Sequence, residues 1–366
     1  MIMGFKIISS DSKIFEIDDI LINENHHKLF PDDFINLLKN WFNNDSHISV
    51  QSSGSTGHPK LIYLNKESLK KLARNSIDVL KYKLGDVSVL AIPASRIGGI
   101  MVFVRALELN SPLIVLTPKS NPFNNFSFST YHYISLVPSQ LNDILNDPNS
   151  LKILNSFTTV LIGGAPVNPL INHKLQNLNC ECYETYGMTE TGSHVALRKI
   201  NGGQKSDWFT PIKGFELKLS EKNLLMINGL ITNYEWLSTN DRAEFDGSGR
   251  FRVLGRADFV INSGGIKLFP EEIENKINAS NLFEGYEFFV SSVPDAKLGE
   301  KLVIAFNMPL HEDWEIYKIK LSEYLNSYEI PKNYFIISQF PFNKGLKIDR
   351  LELKKHLLLI SLRDSK

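Results

Sequence analysis

The sequence predicts an α/β protein: a large layered α/β amino-terminal domain with a β-rich subdomain, followed by a small α+β carboxyl-terminal domain. Three observations predict it. The runs VSVLAIPAS, PLIVLTP, YHYISLVPS, TTVLIGGAP and CECYETYG are short, β-branched or aromatic, and punctuated by Gly or Pro. Helical stretches separate several of them, which is the alternation of a largely parallel sheet. From Asn201 the texture changes to alternating strands and turns, FELKLSEKNLLMINGLITNYEWLSTNDRAEFDGSGRFRVLGRADFV, with a tight turn at DGSG. After Asp258, FPEEIENKINAS opens a helix with Pro270 in its first turn and acids that suit the helix dipole. The expected domains are therefore residues 1–257 and 258–366, and 366 residues are enough for two unequal cores.

Composition narrows the partners. The 40 basic residues are matched by 40 acidic ones, so no net field steers the chain towards nucleic acid or an anionic membrane, and a small-molecule partner is expected. The start, MIMGFKIISSDSKIFEIDD, is interrupted by Lys6 and then by acids, unlike an export signal, so a cytoplasmic location is expected. Apolar runs such as that around Ile100 to Val104 stop well short of the roughly 20 residues of a membrane helix. Cys180 and Cys182 lack the two further ligands of a structural zinc site and are expected as reduced, half-buried strand thiols. The Asn-rich SNPFNNFSFSTYH is expected as a surface loop.

Four segments concentrate chemistry. In order, Ser52-Ser53-Gly54-Ser55-Thr56-Gly57-His58-Pro59-Lys60 offers backbone N–H groups, hydroxyls and a cation to a polyphosphate, with glycines that let the backbone approach. It is not a P-loop, because Pro59 stands where the second glycine would be, and a plain Gly/Ser turn is the competing reading. Next, Tyr186-Gly187-Met188-Thr189-Glu190-Thr191 supplies an aromatic face, a hydroxyl and a carboxylate able to take part in holding magnesium; a strand end with a capped helix start would look similar. Ser238-Thr239-Asn240-Asp241 ends a strand with a carboxylate suited to a ribose, followed by Gly255-Arg256-Ala257-Asp258, although turns also favour Asp. Finally, PFNKGLKIDR sets basic side chains in a glycine-containing loop, where a solvated charge cluster is the default.

The ordered set SSGSTGHPK, SLVPSQL, LIGGAP, YGMTET, STND, GRADFVINSGGIKLFPEEIE and GLKIDR resembles the adenylate-forming superfamily of acyl-CoA synthetases, luciferases and peptide-synthetase adenylation domains, from Ser52 to Arg350. Within it, SLVPSQL, LIGGAP and IGGIMVFVRAL resemble the o-succinylbenzoate-CoA ligases of menaquinone synthesis.

The resemblance implies an ATP-dependent acid-thiol ligase that uses magnesium and coenzyme A, with a mobile carboxyl-terminal domain. By position, Ser52, Ser53, Thr56 and Lys60 would hold the β- and γ-phosphates, together with the glycines Gly54 and Gly57 and Ser55 of the same loop. Thr189 would bond the α-phosphate, Glu190 would hold magnesium, and Tyr186 beside Gly187 would lie against adenine. Gly163, Gly164 and Ala165 would border the adenylate, and Asp241 would grip the ribose with Arg256 nearby. Lys347 would act only in adenylate formation, with Lys344 as the alternative. Asp258 would be the hinge, and Gly264 and Gly265 would leave room for the pantetheine arm. Arg96, Ser193 and His194 are the expected contacts to a second substrate carboxylate. The chain departs from the pattern in three places. Only about fifty residues precede the phosphate loop, so a shortened amino-terminal portion is expected; Asn240 replaces a glycine; and Leu346 replaces the glycine before the lysine. Two alternatives stay open, a stand-alone adenylation domain that loads a carrier-protein thiol and a non-catalytic nucleotide-binding relative. So does a homo-oligomer.

Overall fold

The five runs expected as strands, Ser88–Leu90, Leu113–Val115, Tyr133–Leu136, Thr159–Ile162 and Glu181–Met188, lie in one sheet. The computed structural model describes residues 4–51, 60–341 and 348–364. Among these, the sheet runs in the order Thr210–Pro211, Ser193–Lys199, Glu181–Met188, Thr159–Ile162, Tyr133–Leu136, Ser88–Leu90, Leu113–Val115, Lys6–Ile8, Ile14–Glu16. Every pairing from Glu181–Met188 across to Lys6–Ile8 is parallel, and the outer pairings are antiparallel. Val89, Ile114 and Val160 point into one apolar cluster, while Leu90, Leu113 and Val115 point into another. A sheet covered on both faces needs apolar side chains at successive positions, which is why its strands read as unbroken apolar runs.

The helix Ile97–Glu108 shows the same logic. Its residues from Gly99 to Leu107 are all buried, so it carries no polar stripe; Arg105 is buried with them. Ahead of it, His47–Gln51 and Leu61–Asn65 pair antiparallel with Gln51 opposite Leu61, and the Asn65 side chain caps the helix Lys66–Leu80 by accepting from Ser68 N at 3.0 Å.

One expectation holds with an addition and one needs correction. The SNPFNNFSFSTYH segment is an irregular surface loop, as expected, with an aromatic underside. Phe123 is only 3% exposed, and Phe126, Phe128, Tyr131 and Phe157 form a chain of ring contacts with it. The asparagines masked an aromatic underlayer. Cys180 and Cys182 are free thiols, as expected, but both are fully buried, and Cys180 lies just ahead of its strand. Their sulfurs are 3.8 Å apart, and Asn201 ties the backbone of both.

Contacts divide the chain into a first unit of Met1–Leu217, Ile227–Leu237 and Asp246–Arg250 and a second of Lys218–Met226, Ser238–Phe245 and Phe251–Lys366. A four-stranded sheet in the order Phe215–Leu219, Leu224–Gly229, Leu237–Phe245, Phe251–Arg256 accounts for the β-rich texture after Asn201. In the second unit, Ile266–Leu268, Ile261–Ser263, Gly299–Phe306 and Phe288–Asp295 follow one another in a sheet, with Asn333–Ile336 parallel to Gly299–Phe306. The helix Pro270–Ala279 begins at the proline, as expected. No helix among the described residues is long and apolar enough to cross a membrane.

Candidate active site

The first unit brings several of the expected residues to neighbouring strand ends, where ligands of open α/β sheets bind. Thr159–Ile162 and Glu181–Met188 are adjacent and parallel, with Ile162 opposite Glu184. Gly163 follows directly, its N–H donating to Leu136 O at 3.1 Å, and a Cβ on it would stand 2.4 Å from Thr185 Oγ1. Gly164 turns the chain at φ +89°, leading into Ala165. The turn thus lies against the strand that carries Tyr186. Glu184 is spent within the scaffold: it accepts from Arg198 at 2.6 and 2.8 Å and from Val167 N at 3.3 Å.

Beyond Tyr186 the chain forms a pinched hairpin. Gly187 pairs with His194, and a Cβ on Gly187 would come within 2.0 Å of Ser193 O, so only glycine fits there. The tip is one 3₁₀ turn, Thr189–Thr191, followed by Gly192 at φ +65° and Ser193 at φ +109°. Thr189 and Glu190 are both partly exposed on that tip. Among the described residues no cluster of three or more His, Cys, Asp or Glu could cage a metal. A lone carboxylate such as Glu190 fits magnesium that is held mainly through a nucleotide's phosphates.

Of the residues expected to meet a second substrate carboxylate, Arg96 donates to Gln51 O at 3.1 Å, the last described residue before the phosphate-loop segment. His194 faces Ser76, with Nε2 and Oγ at 2.9 Å. Burial, and then the nearby Arg105 charge, bring its pKa down to about 3. The sign follows from proton counting. Between about 3 and the ordinary value of 6.5 the unfolded chain takes up a proton that the folded chain refuses, so stability falls as pH drops through that window. His194→Gln removes this contribution: thermal melts from pH 8 down to about 4.5 are expected to show the variant gaining on the parent as pH falls. Parallel curves would refute it.

Sequence reading missed Arg105. It is 3% exposed, and among the described residues no carboxylate pairs with it. Its Nη2 reaches Ser135 Oγ only at 3.5 Å, and its Nη1 has no hydrogen-bond partner. The guanidinium borders a cavity of about 10 Å³, room for one water, lined also by Tyr82, Ser88, Tyr133 and Ser135. A lone cation in the otherwise apolar IGGIMVFVRAL was the available signal.

The second unit holds the other group. Asp241 is buried opposite Arg256 in the strand pairing, with Oδ1 and Nη1 at 3.4 Å. Thr239 Oγ1 accepts from Asp241 N at 3.1 Å and donates to Leu225 O at 2.8 Å, which fixes the carboxylate's strand. Arg256 makes two closer bonds to Asp258, 2.9 and 2.7 Å. Gly264 and Gly265, at φ +59° and +84°, form the two-residue turn of the hairpin in which Ser263 pairs with Ile266, a geometry that demands positive φ at both central positions. Ser52, Ser53, Gly54, Ser55, Thr56, Gly57, Lys344, Leu346 and Lys347 lie outside the described residues. Lys60 is exposed just ahead of Leu61–Asn65.

Known proteins similar to this chain give the site its context. The 2-succinylbenzoate–CoA ligase of Escherichia coli K12 is 25% identical over 322 residues, which cover 83% of this chain and 67% of that one. The corresponding ligase of Listeria innocua is 26% identical over 87% of this chain and 72% of its own. Among solved structures, an acyl-CoA synthetase (AMP-forming)/AMP-acid ligase II-like protein from Dyadobacter fermentans is 32% identical, with a TM-score of 0.59, over 88% of this chain and 93% of that one. The o-succinylbenzoate coenzyme A synthetase of Bacillus subtilis, in complex with ATP and magnesium ion, shares the fold at a TM-score of 0.67 and 22% identity, over 84% of this chain and 69% of its own. The sequence model of the AMP-binding enzymes matches residues 38–223, which take in the phosphate-loop segment, the Gly163–Ala165 turn and the hairpin of Thr189 and Glu190, and the chain belongs to that family.

Proposed function

We propose that this chain is an AMP-forming acid-thiol ligase that activates o-succinylbenzoate as its acyl-adenylate and passes the acyl group to coenzyme A in the cytoplasm. The observation that carries the reading is the Gly163 turn lying against Thr185 of the adjacent parallel strand, which runs on into the pinched hairpin of Thr189 and Glu190. In the first half-reaction a carboxylate oxygen bonds to the α-phosphorus, and the bond to the bridging oxygen breaks, releasing pyrophosphate. Such chemistry is driven by positioning and charge neutralisation. Ser52, Ser53, Thr56 and Lys60 hold the outer phosphates, Thr189 the α-phosphate, Tyr186 the adenine and Asp241 the ribose. Glu190 would help hold magnesium with the nucleotide, and the ion would supply charge neutralisation. In the second half-reaction the coenzyme A sulfur bonds to the carbonyl carbon, the carbon–oxygen bond to AMP breaks, and the thiol proton passes to solvent.

Arg105 supports the choice of acid. A buried guanidinium without a carboxylate suits an anion, directly or through a water in the adjoining cavity, and o-succinylbenzoate brings a second carboxylate. Glu184, already held by Arg198, is not free to pair a substrate ammonium, which disfavours amino acids.

The test is pyrophosphate release with coenzyme A across o-succinylbenzoate, benzoate, hexanoate, palmitate and several amino acids. The expected kcat/KM favours o-succinylbenzoate by at least about tenfold, ~1.4 kcal/mol; an equal preference for any other acid overturns the substrate. Arg105→Met should raise KM for o-succinylbenzoate by roughly 10- to 100-fold, the worth of a charged hydrogen bond, and leave KM for ATP unchanged. Its Tm should hold or rise, because an unpaired buried cation is a cost that the substitution removes. A lowered Tm with an unchanged KM would make Arg105 purely structural.

A further inference from the structure

Thr191 is fully buried at the end of the hairpin tip, and its hydroxyl lies at the crossing of three backbone groups. Oγ1 accepts from Met188 N at 3.0 Å, and its proton faces Ser193 O at 2.8 Å and Met188 O at 3.0 Å. Met188 and Ser193 are the paired residues that close the tip. Between them stand Thr189, Glu190, Thr191 itself and the left-handed Gly192. The Ser193 carbonyl also lies close against Gly187. Ser193 holds φ +109°, a conformation that a non-glycine residue keeps only when its surroundings impose it. The side chain bonded to its carbonyl is Thr191. Gly192 is packed below against Leu69, Leu72 and Ile231, so the tip has little freedom left except through this hydroxyl.

We propose that Thr191 is a positioning residue for adenylate formation: its hydroxyl, not its bulk, fixes the angle at which Thr189 and Glu190 are presented to the α-phosphate and magnesium. The inference rests on the ligase reading given above. Thr191 touches no substrate. It acts on the first half-reaction because both residues it orients serve the phosphates, and the thiol attack that follows takes place at the acyl carbonyl.

Thr191→Val keeps the shape and removes the hydroxyl, whereas Thr191→Ser keeps the hydroxyl and removes the methyl. Three quantities are measured: ATP–pyrophosphate exchange with o-succinylbenzoate as magnesium is varied, thioester formation from synthetic o-succinylbenzoyl-AMP and coenzyme A, and the thermal shift induced by MgATP. The valine variant should lose about 10- to 100-fold in exchange, the scale of a slightly misplaced catalytic group. It should also need several-fold more magnesium for half-maximal rate, and make thioester from the preformed adenylate at close to the parental rate. The serine variant should exchange like the parent. Thr191→Ala is prepared alongside, so that either hydroxyl-free variant that folds can be read. Equal loss in the serine and valine variants, equal loss in both half-reactions, or parental exchange and magnesium dependence in the valine variant would each overturn the assignment. A parent protein without exchange would overturn the ligase reading instead. The MgATP thermal shift, expected in the parent and diminished in the valine variant, would then still decide the role of Thr191.

Discussion

Lys347→Ala is expected to reduce acyl-adenylate formation by about 100- to 1000-fold, the usual cost of removing one charge-stabilising donor from a transition state, and to spare thioester formation from preformed acyl-AMP. A carboxylate approaching an α-phosphate brings two anions together, and a cation between them lowers that barrier most where the charges are closest. Once AMP is the leaving group, the nucleophile is a thiol and the same cation has less to neutralise. Lys347 lies outside the described residues, and those on either side of its segment are tethered. Asp349 N donates to Pro341 O at 2.8 Å, joining the described residues on either side of 342–347. Arg350, just beyond, is anchored by Glu274 at 3.1 and 2.7 Å and stacks near Phe259 and Phe289. Asp349 also caps the following helix through Glu352 N at 3.0 Å. In sequence Lys347 adjoins this tethered end, whereas Lys344 stands in the middle of the segment. Lys344→Ala is therefore the control: pyrophosphate exchange should survive in it. Parental exchange in Lys347→Ala, or an equal loss in Lys344→Ala, would remove Lys347 from its role.

What could be read from the sequence, and what could not, divides along physical lines. The parallel strands were legible because burial on both faces writes continuous apolar runs, and the helix at Pro270 because a first-turn proline and its acids are local signals. The pairing of Lys6–Ile8 with Leu113–Val115 was not, since a three-residue strand acquires its partner only through contacts far away in the chain. Arg105 was visible as a letter, but its lack of a carboxylate partner is a property of packing. Arg96 is the converse. Its charge was visible, yet its bond to the Gln51 carbonyl depends on a strand 45 positions away in the chain. The YGMTET segment gave the residue types of a phosphate and magnesium site. It gave no sign that Thr191 bonds the carbonyl of a Ser193 at φ +109°, because that close approach arises only when the hairpin closes on Gly187.

Asp258→Pro is expected to leave adenylate formation within a few-fold of the parent and to reduce thioester formation by about 100-fold or more, because proline fixes φ near −65° and removes the torsion on which a hinge between residues 1–257 and 258–366 would turn. Asp258 sits in a single 3₁₀ turn, Ala257–Phe259, whose usual φ range proline accepts, and the restriction that proline places on its predecessor falls on Ala257. The substitution also removes the carboxylate that pairs with Arg256 at 2.9 and 2.7 Å, and that loss must be separated from the backbone effect. Asp258→Ala does so, since it breaks the same pair and leaves φ free. The Asp258 side chain is 26% exposed, and partly solvated pairs are worth about 0–1 kcal/mol, so the alanine variant should keep both half-reactions within roughly five-fold. In the proposed mechanism Lys347 would serve the first half-reaction and Gly264 and Gly265 would leave room for the pantetheine arm in the second, and a locked torsion would permit only one of the two arrangements. Pyrophosphate exchange measures the first, and single-turnover transfer from synthetic acyl-AMP to coenzyme A measures the second. Parental transfer in the proline variant would show that Asp258 is not the pivot. An alanine variant as defective in transfer as the proline variant would assign the effect to the Arg256 pair and not to the backbone.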